Sequence, residues 1–205
     1  MGLRERNAER TRELILDTAL PLFLEKGYEA TTMEQVAEKA QIGTSTLYRY
    51  FGTKDLLALA PIALHGQMAA ELGRRPPEEP LDLALGHAIQ ALLETPRGDT
   101  RRLQQVKAVI DRTPTLQARL GEEFLRERTL LERAVADRLG RSPDDVFCVV
   151  TARLATVLLE LAVDVAWSAL DQTGDPDDRT LTLVGEVLGR LRREPPVVPR
   201  LPAQP

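Results

Sequence analysis

Aromatic side chains are scarce in this 205-residue chain, with one Trp, three Tyr and four Phe. Strands draw on aromatic and β-branched residues in alternating runs. No such run occurs, so a sheet architecture is excluded. Cysteine occurs once, as Cys148, which rules out an internal disulfide and fits a reducing, cytoplasmic setting. The two histidines, His65 and His87, have no ligand spaced beside them. There is no cysteine pair and no phosphate-cradling glycine loop. No metal site, cofactor or catalytic set is therefore expected, and an enzyme is not expected. The first residues lack an apolar signal core. The longest apolar stretch, Val146 to Leu170, is interrupted by Arg153, Glu160 and Asp164, so no membrane span is expected. Positive charge is in deficit as well: 27 Lys and Arg against 31 Asp and Glu, a net charge of −4. That argues against non-specific coating of nucleic acid but leaves specific binding open, because phosphate contacts depend on local charge. Locally, Arg4, Arg6, Arg10 and Arg12 face only Glu5 and Glu9.

What the chain has is helical periodicity, rich in Leu and Ala. A first helix is predicted from about Thr11 to Lys26, with Ile15, Ala19, Leu22 and Phe23 inward, bent at Pro21 and stopped by Gly27. Thr32 and Gln35 make a capping box for a second helix whose apolar face is Met33, Val36, Ala37 and Ala40. Gln41-Ile42-Gly43 breaks it. A third helix follows, Thr44 to Phe51, with Leu47 and Phe51 inward and Thr44, Ser45, Tyr48 and Arg49 outward. A short helix crossing another, with a small-polar and aromatic outward face, is the helix-turn-helix shape, whose second helix can enter a major groove. The cluster from Tyr48 to Asp55 adds two phenols and the Lys54 ammonium where phosphates would lie.

These residues resemble the TetR family of bacterial repressors. Gly27-Tyr28, Thr31-Thr32, Val36-Ala37, Ala40, Thr46-Leu47-Tyr48, Tyr50-Phe51, Lys54-Asp55 and Leu57 fall at that family's spacing, as do Ile15, Ala19 and Phe23 before them. The chain departs from the family at Gly43, where Ser is usual, and at Thr44, often basic. Thr offers a methyl and a hydroxyl to a base edge but no fork for guanine. With the outward positions, the resemblance implies that Thr32, Thr44, Ser45, Thr46, Tyr48, Arg49, Tyr50 and Lys54 contact double-stranded operator DNA. Tyr48, Tyr50 and Lys54 are expected at phosphates, and Thr44, Ser45 and Arg49 nearer the bases.

A fourth helix is predicted from Lys54 to about Leu72, bent at Pro61 as a possible hinge, before the proline-rich loop Arg74 to Pro80. Five more helices follow. One is headed by Leu81, Leu85, Ile89 and Leu92, and ends near Thr95-Pro96. The next starts at Asp99 with Leu103, Val106 and Ile110. The third opens at Thr113-Pro114 and runs to Gly140, the fourth covers about 143–170, and the last about 177–193. The expected architecture is thus all-α: an N-terminal three-helix helix-turn-helix domain over 1–53, a larger helical regulatory and dimerisation domain over 54–193, and a disordered tail over 194–205. The 143–170 helix is apolar nearly all round, its broad stripe being Val150, Leu154, Leu158, Leu161 and Val165. Such a helix is buried on more than one side, so a homodimer through it and the last helix is expected. The resemblance also implies a small-molecule effector, expected to be apolar or amphipathic, held near Met68, Gln105, Val109, Glu160 and Trp167. Arg153, Thr156, Glu160 and Asp164 share one side of the long helix. That line is equally compatible with a ligand pocket, a solvated face or an inter-subunit salt link. The segment Thr113 to Arg133 looks like regulators grouped as binding acyl-CoA-like ligands. The competing reading is a helical protein-interaction module that does not bind DNA.

Overall fold

The structure is a computed structural model and describes residues 2–94, 100–173 and 177–194. Among the described residues it is all-α, with ten helices and no strand. They are α1 (Leu3–Lys26), α2 (Met33–Lys39), α3 (Thr44–Tyr50), α4 (Lys54–Leu59) and α5 (Gln67–Arg74), followed by α6 (Leu81–Glu94), α7 (Thr100–Asp111), α8 (Pro114–Leu139), α9 (Val146–Thr173) and α10 (Asp177–Arg193). The expected stop at Thr95-Pro96, the start at Asp99 and the tail from Pro195 lie outside the described residues.

α1 begins well before the predicted Thr11. The Gly2 amide donates to Glu5 Oε2 at 2.7 Å, closing the first turn. Arg4, Arg6, Arg10 and Arg12 are therefore helical rather than a frayed arm. Ile15, Ala19, Leu22 and Phe23 are buried as predicted, and the helix runs through Pro21. They pack with Met33, Val36, Leu47, Phe51 and Leu57 into one core, which also takes Val106, Val109, Ile110 and Leu116 from α7 and α8. The packing thus places α4 with the N-terminal core, past the 53/54 division, and roots that core in the following helices. Each fully buried Leu or Phe here contributes about 1.5–3 kcal/mol.

The single bent helix predicted from Lys54 to Leu72 is instead two helices. Pro61 lacks an amide hydrogen and its ring crowds the preceding turn, so α4 ends at Leu59. His65 at φ +49° and Gly66 at φ +74° then take left-handed backbone. A side chain on Gly66 would be strained by the left-handed backbone and would put its Cβ 2.8 Å from Leu130 Cδ1, which would have to shift. α5 restarts with its first amides unsatisfied along the chain. Glu127 of α8, 1% exposed, supplies the acceptor: Oε1 receives the Met68 amide at 2.9 Å and the Ala69 amide at 3.2 Å. Pro61 therefore sits in a helix break rather than at a kink inside a continuous lever.

A second core joins α5, α6, α8, α9 and α10 through Met68, Leu72, Ala88, Leu131, Val135 and Leu159. α9 starts at Val146 instead of Pro143, because Asp145 Oδ1 accepts the Phe147 amide at 2.9 Å and the Cys148 amide at 3.3 Å. Its face toward the rest of the chain is one of small residues, and most of the apolar stripe expected at a dimer seam lies outside it. Cys148, Ala152, Ala155, Leu159, Ala162 and Ala166 are buried, while Val150, Leu154, Val157 and Leu161 are 45–56% exposed. The small residues allow close approach to α8, and the bulky ones are left on the surface. By length and composition alone Val146–Ala169, of mean hydropathy 2.1, is long and apolar enough to cross a bilayer despite its charged residues.

Candidate nucleic-acid interface

α2 opens as its sequence dictates. The Gln35 amide donates to Thr32 Oγ1 at 3.2 Å, and Gln35 Oε1 accepts the Thr32 amide at 3.2 Å. It closes on a doubly bonded C-terminal turn in which the Gln41 amide donates to Glu38 O at 3.0 Å and the Ile42 amide to Ala37 O at 3.0 Å. That turn requires a left-handed residue, and the chain places Gln41 there at φ +55°. Gly43, the last residue of the expected Gln41-Ile42-Gly43 break, has ordinary backbone and is the N-cap of α3. Leu47, fully buried, and Phe51 pin α3 to α1 and α2.

This fixes which side chains look outward. Ser45, Tyr48 and Arg49 are exposed, and Thr44, Thr46 and Tyr50 are half-buried beside them. Thr32 is exposed at the start of α2, with its hydroxyl oxygen engaged as the cap. The Tyr48 hydroxyl lies 3.4 Å from Glu34 Oε1, a carboxylate on the same face that sequence reasoning overlooked. Arg49 lies over the Tyr50 ring, 5.7 Å from its centroid. Seven of the eight expected contacts therefore share this end of the molecule as surface groups. Lys54 differs. Its ammonium donates to Tyr28 O at 2.9 Å and Thr31 O at 3.1 Å and sits 4.2 Å from the Tyr28 ring centroid. Two of an ammonium's three donors are thus committed to the fold, which the family spacing alone did not disclose.

The same corner is fastened to the rest of the chain. Tyr28 donates its hydroxyl to Asp55. Burial, then that bond and the Asp55 charge, push the phenol up, so it stays a donor at any working pH. Asp55 also accepts Arg119 Nε of α8 at 3.0 Å, and Arg102 of α7 reaches Glu13 at 2.6 Å and Asp17 at 2.7 Å on α1.

Two cavities lie behind this junction. One, of about 260 Å³, is walled by Pro61–His65 and Gln67 from the helix break, by Leu103, Leu120, Phe124, Leu159 and Trp167, and by Arg12 of α1. A neighbouring groove between α8 and α9, of about 540 Å³, shares Trp167 and carries Arg153, Thr156, Glu160 and Asp164. The polar line of α9 thus faces this groove. Of the expected effector residues, Glu160 and Trp167 line these spaces. Met68 is fully buried under the Glu127 cap and Val109 is packed in the N-terminal core, so neither lines these two spaces. Gln105 is half-buried outside both linings. The resemblance implied these residues around an effector, and in this chain Met68 and Val109 belong to the core instead. Arg12 and the residues of the helix break were missed because the break itself was not foreseen.

Residues 15–60 match the family model described as bacterial regulatory proteins, tetR family, and residues 79–194 match the MftR C-terminal domain. The transcriptional regulator TcmR of Streptomyces glaucescens is 37% identical over 158 residues, 71% of this chain and 68% of that protein. The chain belongs to the TetR family. Another relative, the transcriptional repressor KstR of Rhodococcus jostii, is 36% identical over 95 residues, 44% of this chain and 45% of its own length. The fold also matches the Bacillus subtilis regulator FadR, solved with stearoyl-CoA, at TM-score 0.53 and 18% identity over 87% of this chain and 96% of that one. This TetR-family chain is therefore a DNA-binding transcriptional regulator of helix-turn-helix type, and no enzymatic family is indicated.

Proposed function

We propose that this regulator is a homodimeric, cytoplasmic, non-enzymatic repressor that grips a palindromic operator through α3 and is released by a small apolar or amphipathic effector. The observation that carries the reading is the outward face of α3, Ser45, Tyr48 and Arg49, held rigid over fully buried Leu47. Tyr48 and Tyr50 meet phosphates, and Thr44, Ser45 and Arg49 lie nearer the bases, so replacing Thr44 changes which sequence is preferred. Two such helices must stand about 35 Å apart to enter successive grooves. The exposed Val150, Leu154, Val157 and Leu161 of α9, with Leu183 and Val187 of α10, are the surface through which a second copy sets that spacing. The effector site is the pair of spaces behind the helix break. We place the domain division in that break, residues 60–66, rather than at 53/54.

A gel-shift titration with the DNA upstream of the gene tests this. Saturable binding at low salt, weakening steeply as salt rises, is expected. No saturable binding to any such fragment favours a helical module that meets protein partners instead. Coupling is reciprocal, so the effector's own affinity must fall on the operator complex by the factor with which it weakens DNA binding.

A further inference from the structure

The smaller cavity has an unusual charge pattern. Among its lining residues there is one arginine and no carboxylate, and the arginine, Arg12, belongs to α1 of the DNA-binding half. Arg12 has no acidic partner among the described residues. Glu13 and Asp17 on the same helix are taken by Arg102 at 2.6 and 2.7 Å, and Glu9, one turn back, makes no ion pair with Arg12. The Arg12 guanidinium instead lies 4.8 Å from the centroid of Phe51, the residue that ends α3. A cation half-buried against apolar walls without a counter-ion is incompletely compensated, because a ring face replaces only part of its hydration. His65 and Gln67 stand in the same lining, His65 in the strained left-handed backbone of the break. The remaining wall is apolar, with Leu92, Leu103, Phe124, Leu159, Val163 and Trp167.

Resting on the TetR-type reading above, we propose that the effector is a small amphipath with a carboxylate head that docks on Arg12, its apolar body filling the space between Leu103, Phe124, Leu159 and Trp167. The planar guanidinium matches a carboxylate with paired hydrogen bonds. Docking draws Arg12 off Phe51, so the occupant acts on the end of the recognition helix directly and not only through a tilt of the regulatory helices. Effector charge is thereby sensed by a residue of the DNA-binding half.

Trp167 is the single tryptophan of the chain and lines the cavity, so its emission reports occupancy. The full chain is titrated at neutral pH with octanoate, 1-octanol and octylamine, which share one tail and differ in head group. Octanoate is expected to saturate the emission change at a concentration roughly tenfold or more below 1-octanol, with octylamine weakest. Arg12→Gln abolishes that preference by weakening octanoate alone, and Arg12→Lys retains part of it. Equal affinities for octanoate and 1-octanol in the parent protein overturn the carboxylate assignment while leaving an apolar effector site intact. A preference unchanged in a folded Arg12→Gln protein overturns the role of Arg12. No emission change with any probe overturns the cavity's occupancy altogether. Failure of the ligand-free parent to bind operator DNA, measured separately, sinks the TetR-type reading instead.

Discussion

Gln41 occupies a position that backbone geometry reserves for glycine. At φ +55° it carries the turn between α2 and α3, with both bonds of the C-terminal motif made around it. A non-glycine residue in left-handed conformation costs about 1 kcal/mol. Gln41→Gly is therefore expected to stabilise the chain by about 0.5–1 kcal/mol, read as a rise in the urea midpoint at unchanged slope. Lys54 makes the opposite case. Its position suggests a phosphate contact, yet its ammonium bonds Tyr28 O and Thr31 O. Lys54→Ala should cost about 2 kcal/mol of stability through two charge-assisted hydrogen bonds. A salt slope that falls by a full charge with the urea midpoint untouched would restore the phosphate role.

At the scale of elements, the helix break is held by a side chain from elsewhere in the chain and the loop after α5 by its own ion pair. Glu127 caps α5 from α8, and burial raises its carboxyl above the usual range, opposed by the α5 amides. Glu127→Ala leaves those amides buried and unpaired and should cost about 2–3 kcal/mol, whereas Glu127→Gln keeps an acceptor and should cost less. Equal losses in thermal melts would mean that packing, not the cap, matters there. The loop between α5 and α6 is fastened by Glu79, which accepts Arg75 Nη2 at 2.6 Å and Arg75 Nε at 2.7 Å and faces His87 Nδ1 at 2.9 Å. The hydrogen bonds from Arg75 hold the Glu79 carboxyl down to about 2, from an ordinary 4.5. A carboxyl depressed by folding binds fewer protons in the folded state than in the unfolded one. Its contribution is complete above about 4.5 and is lost as pH falls toward about 2. Acid titration followed by circular dichroism should therefore show the parent losing its advantage over Glu79→Gln across that window. Solvent reaches the Arg75 side of the pair, which keeps the effect modest.

For the whole molecule, the proposed dimer through the outward face of α9 predicts how DNA is bound at two half-sites. Leu154 is 48% exposed, so Leu154→Arg should leave the helical signal unchanged while placing a charge in any dimer seam. Sedimentation should then show a monomer, and operator affinity should fall at least tenfold, because one recognition helix is left to bind alone. A dimer that survives the change would move the interface elsewhere. The Arg102 and Arg119 links tie α7 and α8 to α1 and α4 through short charged contacts beside a shared apolar core.

Much of this was determined by sequence alone. Helical periodicity, the Thr32 capping box and the apolar positions of α1 to α3 encode local structure within a few residues of each other, so they are readable along the chain. The outward identity of Ser45, Tyr48 and Arg49 follows from the same period. What required the tertiary structure were the features set by distant partners. α9 turned its alanine face inward because α8 lies close enough for small residues only. The predicted long helix broke at Pro61, and the restart is capped by Glu127, which lies far along the chain. Arg12 looked like part of a basic arm, and only the packing of Arg102 onto Glu13 and Asp17 left it facing a cavity beside Phe51. Residues whose surroundings are their sequence neighbours are legible in order, and residues whose surroundings are supplied by other helices are not.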